Sequence, residues 1–490
     1  MHSASLREKS LRKELACLKD SIAQQCRLLT QLQGREALVE AEVDALSFKF
    51  PILTLPLEIT AEVFLHYAAA VHEEDCKPYE PCRAMLLLLE ICHTWRTIAL
   101  STPALWVTLD VGIISHLAPG KIEQEADRWL SRAGALPLSF VCHRATISPW
   151  FGQANSIVSR HALRLRKLHI AISHGSVAPL FESSFPLLED IDICNVDSQI
   201  RSTPFVAPVS TLARTPKLRR VVLDGIPPSS LTASWGLLES FSALSTSTLE
   251  CIYVLRAAPG LRKLKYYGAG AADDTSVAID GIVTLPLLTC LALCNASHAI
   301  IPYLALPALT TLEFCGVYSL DSNSVLDLLS RTRGLLRDLD LSNHTMPFTI
   351  SIKWFQHMKQ LTRLKLSRLR PQSRAELVRS LNRALESEFL PVLEALVLTD
   401  WKPDEVDKAL LEAVNSRSSS TEVKPERVLA RLDVKISSLE QDTELVANVV
   451  GTHEPLLRDL IRRGMDIRIT SQYKSQKATI IFPTNEETIV

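Results

Sequence analysis

The sequence predicts an N-terminal coiled-coil helix, then a small all-α module of three helices, then an α/β solenoid on a parallel sheet. Three observations carry this: an apolar heptad through 6–47, proline-punctuated helical segments at 50–107, and a Leu-x-x-Leu-x-Leu pattern recurring between Leu165 and Leu393. At 490 residues the chain exceeds one ordinary core and suits several units or one elongated array. With 47% hydrophobic and 22% charged residues it is globular rather than disordered. A net charge of −1 gives no bulk pull toward nucleic acid or an anionic membrane. No apolar run approaches the ~18 residues of a membrane span, and the charged N-terminus lacks the apolar stretch of a signal peptide. The 11 cysteines show no framework spacing. Without a secretory signal they read as reduced thiols, which places the chain in the cytoplasm or nucleus.

The heptad comes first. Alternating three- and four-residue steps fall on Leu11, Leu15, Leu18, Ile22, Gln25, Leu29, Leu32, Glu36, Val39, Val43 and Leu46. Only Gln25 and Glu36 interrupt the apolar series, and the other positions are mostly charged or polar, as a two-helix seam requires. Two outcomes fit: a homodimer through this helix, or one amphipathic helix folded back on the rest of the chain.

Pro51 and Pro56 end that helix, and Pro56 suits the first turn of the next. Glu58 and Glu62 favour a helix N-terminus. Ile59, Val63 and Tyr67 mark one face, flanked by Leu55 and Phe64. The prolines and acidic run of 68–82 predict a loop. A second helix is expected from about Arg83 to His93, and a third holds Trp95, Arg96, Ile98 and Ala99. Three short helices make a poor independent core, so the module is expected to share apolar surface with a partner.

"LPLEITAEVFLHY" at 55–67 followed by "ICHTWRTIALSTPALW" at 91–106 resembles an F-box. The preceding heptad and "TPALWVTLDV" resemble F-box proteins expanded in fungi. The resemblance implies a function without chemistry. F-box domains dock on the SKP-type adaptor of cullin–RING ubiquitin ligases (the SCF complex), which sends a bound target to ubiquitin-dependent degradation. By that likeness Leu55, Pro56 and Ile59 would insert into the adaptor, and Val63, Phe64, Cys92, Trp95 and Ile98 would support or extend the surface. The alternative is that these side chains, Phe64 and Trp95 above all, only pack the three helices together.

The long remainder is a repeat. The pattern starts at Leu165, Leu188, Leu218, Leu261, Leu288, Leu309, Leu336, Leu361 and Leu393, usually with a proline two residues before. It resembles irregular leucine-rich repeats, whose periods are ~20–29 residues with one strand per repeat. Several intervals exceed that range, the widest from Leu218 to Leu261, which predicts insertions or a cryptic repeat near "GLLESFSALSTS". The family's asparagine is displaced: Asn195, Asn295 and Asn343 sit one residue early. Helical returns are expected at "SVLDLLSRTRG" and "SRAELVRSLNRALESE".

Alternation sends the leucines inward and the intervening residues onto a concave face. The solenoid is expected over 108–400, and the face shows Lys167 and His169, Asp190 and Asp192, Arg220, Lys263 and Lys265, Asp338 and Asp340, then Arg363 and Lys365. A target protein would bind among these. The plainer reading pairs neighbouring rungs, Lys167 with Asp190 and Asp340 with Arg363. Lys263 and Lys265 have no acidic residue on adjacent rungs and are the best candidates for an acidic ligand. A polar loop region (401–427) and a C-terminal capping segment (428–490) complete the chain.

No phosphate-binding glycine loop, His-Glu-x-x-His or Gly-x-Ser-x-Gly is present. The Cys and His residues around the module match no zinc spacing. The absent motifs argue against an enzyme, and with the resemblance they imply a non-enzymatic receptor subunit with no cofactor or metal, no nucleic acid and no membrane partner. Its partners would be the adaptor, a cullin through it, and an unknown target. The alternative is a non-catalytic leucine-rich scaffold with a degenerate F-box.

Overall fold

A computed structural model describes residues 2–46, 54–73, 80–142, 151–172, 183–195, 211–268, 281–294, 297–316, 322–343, 352–367, 369–386, 388–402, 405–418, 429–437, 443–473 and 476–481. The chain divides into two compact units, Met1–Cys76 with Arg83–Thr102, and Lys77–Cys82 with Pro103–Val490.

The first unit is all helix. Helix α1 (His2–Leu46) is continuous through the heptad. Its seam residues from Leu11 to Val43 are 52–59% exposed where apolar, so no described residue covers the seam. Helix α2 (Leu57–Glu73) starts after Pro56, whose carbonyl accepts the amide and hydroxyl of Thr60 at 3.1 and 3.2 Å. It runs past the expected boundary into 68–73, because the alanines there favour helix. Helix α3 (Glu80–Ile91) then begins earlier than expected, with Pro81 in its first turn. Residues 74–79 of the expected loop lie outside the described residues.

Helix α4 (His93–Leu100) explains the Cys-x-x-Trp-Arg segment locally. Cys92 is extended and caps the helix, its sulfur accepting the Trp95 amide at 3.4 Å. Arg96 donates from Nε to the Leu89 carbonyl at 2.7 Å, satisfying a group that the end of α3 leaves open. Trp95 lies 4.9 Å from Phe64, tilted by 55°, which joins α4 to α2.

The second unit is built on one sheet. Its strands are β1 (Thr108–Asp110), β2 (Leu138–Cys142), β3 (Leu165–Ile172), β4 (Asp190–Asn195), β5 (Arg220–Asp224), β6 (Ser240–Thr246), β7 (Lys263–Gly268) and β8 (Cys290–Cys294). There follow β9 (Thr311–Cys315), β10 (Asp338–Asn343), β11 (Arg363–Ser367), β12 (Ala395–Trp401), β13 (Arg431–Ser437), β14 (Asp466–Tyr473) and β15 (Gln476–Ile481). They lie side by side in chain order. All neighbouring pairs from β1 to β14 are parallel, giving 14 parallel strands, and β15 returns antiparallel on β14. This is an α/β solenoid-like arrangement.

Where it occurs, the repeated proline builds the corner before the strand. In Phe185-Pro186-Leu187-Leu188 the Leu188 amide bonds the Phe185 carbonyl at 3.3 Å, and Leu218, Leu261, Leu288 and Leu309 repeat the bond to the residue three before. Proline's fixed φ suits the second position of such a turn. The next two residues then reach the previous rung: the amides of Arg219 and Arg220 both donate to Glu189, at 2.9 and 3.0 Å. Along the strands burial alternates, as in β4 where Ile191 and Ile193 are fully buried between half-exposed Asp190 and Asp192.

Helices α5 (Pro119–Arg132), α6 (Phe151–His161), α7 (Thr248–Ala257), α8 (Ser322–Arg331), α9 (Pro371–Leu381), α10 (Lys408–Ser418) and α11 (Thr443–Arg462), with 3-10 turns elsewhere, return the chain between strands. The cryptic repeat is β6, with Phe241 and Ala243 buried in place of leucines. The displaced Asn195 is buried and donates from Nδ2 to the Gly225 carbonyl of the next rung at 3.3 Å. At the first edge Trp106 stacks edge-on against Trp129 at 4.7 Å, and Trp129 Nε1 donates to the Thr108 carbonyl at 3.0 Å.

One expectation for the C-terminal part is corrected. The polar loop region 401–427 contains α10, whose Leu410, Leu411, Ala413 and Val414 are buried at helical spacing. Within the expected capping segment 428–490, β13 and β14 continue the parallel register from β12 and β15 returns antiparallel. Helix α11 starts well before Pro455 and ends at Gly464, which takes φ +88.

Candidate interaction surfaces

The eight residues expected to serve a partner of the first unit separate into two sets. Phe64 (1% exposed) and Ile98 (5%) are interior, Trp95 is half-buried against Phe64, and Cys92 caps α4. These four hold the helices together. Leu55, Ile59 and Val63 are 40%, 51% and 42% exposed, and Pro56 is exposed beside them. With Tyr67 at 41% they recur every four residues, which puts them on one face of α2 and its approach. Sequence reasoning passed over further exposed apolar residues: Leu57 beside this stripe, Leu87 and Ile91 one turn apart on α3, and Leu100 at the end of α4. The four consecutive leucines of α3 held the signal, since a helix cannot bury all of them on one side.

The second surface is the polar side of the sheet. Its register settles which charges meet. Lys167 faces Asp190 and His169 faces Asp192 on β4, the latter pair at 2.9 Å. Asp190 also takes Arg220 from the other side at 3.6 Å. Burial still raises the Asp190 carboxyl above its ordinary range, against the pull of Arg220 and Lys167. Asp338 pairs with Arg363 at 3.0 Å and Asp340 with Lys365 at 2.9 Å. The expected Asp340–Arg363 pair is thereby corrected, since equivalent positions of a parallel pair stand opposite one another.

The middle of this face differs. Lys263 and Lys265 stand between Ser240 and Ser242 on β6 and Cys290 and Ala292 on β8. Among the described residues neither lysine has a carboxylate within ion-pair distance. Lys265 Nζ lies 5.3 Å from the centre of the Tyr267 ring, within cation–π range. Burial opposes its charge, but Tyr267, Cys294 and Glu313 outweigh it and raise the ammonium above its usual range. Tyr267, Cys294 and Cys315 lie in one row across β7, β8 and β9. The Cys315 hydrogen bond, with Tyr267 and Lys265, holds the Cys294 thiol below its ordinary value despite burial. Cys315 is pushed up by the same bond, by burial and by Glu313, whose Oε1 takes its thiol at 2.8 Å.

No protein-family model matches the chain, and no curated protein matches it. No helix among the described residues is long and apolar enough to cross a membrane.

Proposed function

We propose that the chain is a non-catalytic substrate receptor of an SCF-type cullin–RING ubiquitin ligase. In this reading 50–107 is an F-box that binds the SKP-type adaptor, and through it a cullin. The sheet is a set of irregular leucine-rich repeats that holds the target on its polar face. The helix α1 pairs two copies through its exposed seam.

The observation that carries the reading is the stripe of Leu55, Ile59, Val63 and Tyr67, left roughly half exposed beside Pro56 while Phe64 and Ile98 fill the interior. Completing the burial of four such side chains is worth ~3–6 kcal/mol, enough to anchor a partner. Nothing on these residues performs acid, base or nucleophilic work. Their chemistry is removal of apolar surface from water. Rate would come from holding target and charged conjugating enzyme together, an effective-concentration effect. Capture of an SKP-type adaptor by the co-expressed chain, lost on Pro56→Ala with Ile59→Ala, tests it. A folded chain that captures no adaptor returns the protein to the reading of a leucine-rich scaffold.

A further inference from the structure

Resting on the receptor reading above, we propose that the target presents an extended acidic peptide, bound on the polar face of the sheet at the rung of Arg262, Lys263 and Lys265.

This rung carries charge that the fold leaves over. Elsewhere on this face the cations of β5 and β11 lean on carboxylates: Arg220 on Asp190, Arg363 on Asp338, Lys365 on Asp340. Those pairs satisfy the fold and leave little net field. The β7 rung breaks the rule. Lys263 and Lys265 stand exposed on this face with Arg262 exposed just before the strand, and each in-register neighbour of the two lysines is a neutral Ser, Cys or Ala. The nearest acids are already used. Glu239, whose carbonyl takes the Arg262 amide just before β6, holds Arg219 at 2.6 Å, and Glu313, two strands from Lys265, accepts the Cys315 thiol.

Like charges on one rung repel, and beyond the Tyr267 ring under Lys265 the fold gives these cations no direct partner. A ligand with carboxylates at strand-like spacing would satisfy them. Neighbouring rungs lie ~4.8 Å apart, so an extended chain can address Ser240 or Ser242 on one strand and the lysines on the next. Lys265 is held over the Tyr267 ring, which reduces the side-chain entropy lost on binding.

The test uses the full chain and fluorescence anisotropy with three probes. They are a fluorescein-labelled peptide of alternating Glu and Gly, its Lys and Gly counterpart, and a short single-stranded RNA. The acidic peptide should bind, weaken as salt rises, and lose about tenfold or more in affinity on Arg262→Gln, Lys263→Gln and Lys265→Gln together. Arg363→Gln with Lys365→Gln should leave it unchanged, because those cations are already paired. Absence of binding at low salt, equal loss in both variants, or tighter binding of the RNA through the same rung overturns the inference. Adaptor capture is measured on the same preparations. If adaptor capture fails while the peptide still binds through this rung, the receptor reading falls and the anion site stands. The reverse pattern sinks the anion site alone.

Discussion

Replacing Arg417 should loosen the C-terminal third of the sheet from within. Arg417 is 3% exposed at the end of α10. Its guanidinium donates from Nε to the Leu381 carbonyl at 2.5 Å, from Nη1 to Leu390 at 2.9 Å and from Nη2 to Phe389 at 2.5 Å. No carboxylate shares the site among the described residues. Burial, with Arg383 nearby, holds the guanidinium down to about 10. The fold therefore carries a desolvation cost that is fully present at neutral pH and eases only as pH rises past that value. Its return is the turn it ties: Leu390 sits at φ +44, an uncommon conformation for a leucine. Arg417→Met relieves the buried charge but takes a donor from all three carbonyls, of which Leu390 keeps the Leu393 amide at 3.3 Å. Each lost bond to a charged donor is worth ~1.5–3 kcal/mol, and the relieved desolvation offsets part of the sum. A net loss of about 3–4 kcal/mol is expected, or roughly a hundred- to a thousand-fold faster local opening. Hydrogen–deuterium exchange of 382–393 reads it directly, without assuming that so long a chain unfolds in one step. Exchange of that segment within about threefold of wild type would refute the reasoning.

Leu339 is fully buried on β10, so Leu339→Ala should cost about 2–5 kcal/mol of local stability, read as faster exchange on β9 to β11 with distant rungs little changed. A double-mutant cycle on Asp340 and Lys365 should return about 0–1 kcal/mol; a coupling well above that would mean the pair does more than neutralise itself. The exposed seam of α1 predicts concentration-dependent self-association, abolished by Leu18→Asp with Leu29→Asp. Light scattering that shows a monomer at every concentration would remove the seam from the account.

Much of the sheet could be read before any coordinates. The nine leucine patterns all became strands, because a buried strand needs an apolar residue at every second position and these sequences supply it. The strand β1 escaped notice because it is three residues long, and β2 because it follows Leu136-Pro137 without a full pattern. The buried Arg417 was hidden in a run of Ser and Asn that resembles linker. Only the three carbonyls waiting in 381–390 give that position a use for a guanidinium. Charges on the face were legible residue by residue, and so was one partnering: equivalent positions stand opposite one another whatever the return length, which puts Lys167 opposite Asp190 and Asp340 opposite Lys365 rather than Arg363. In the helical module the period identified the apolar positions. It could not separate Phe64, which packs on Trp95, from Val63 next to it, which is left outside.

The most direct test of the account is co-purification with an SKP-type adaptor. The wild-type chain should form a stoichiometric complex, and Pro56→Ala with Ile59→Ala should abolish it while leaving the circular dichroism unchanged, since Ile59 is half exposed and the carbonyl that meets Thr60 remains. A folded wild-type chain that leaves the adaptor unbound, or a double variant that binds as well as wild type, would contradict the claim that this stripe is the docking surface.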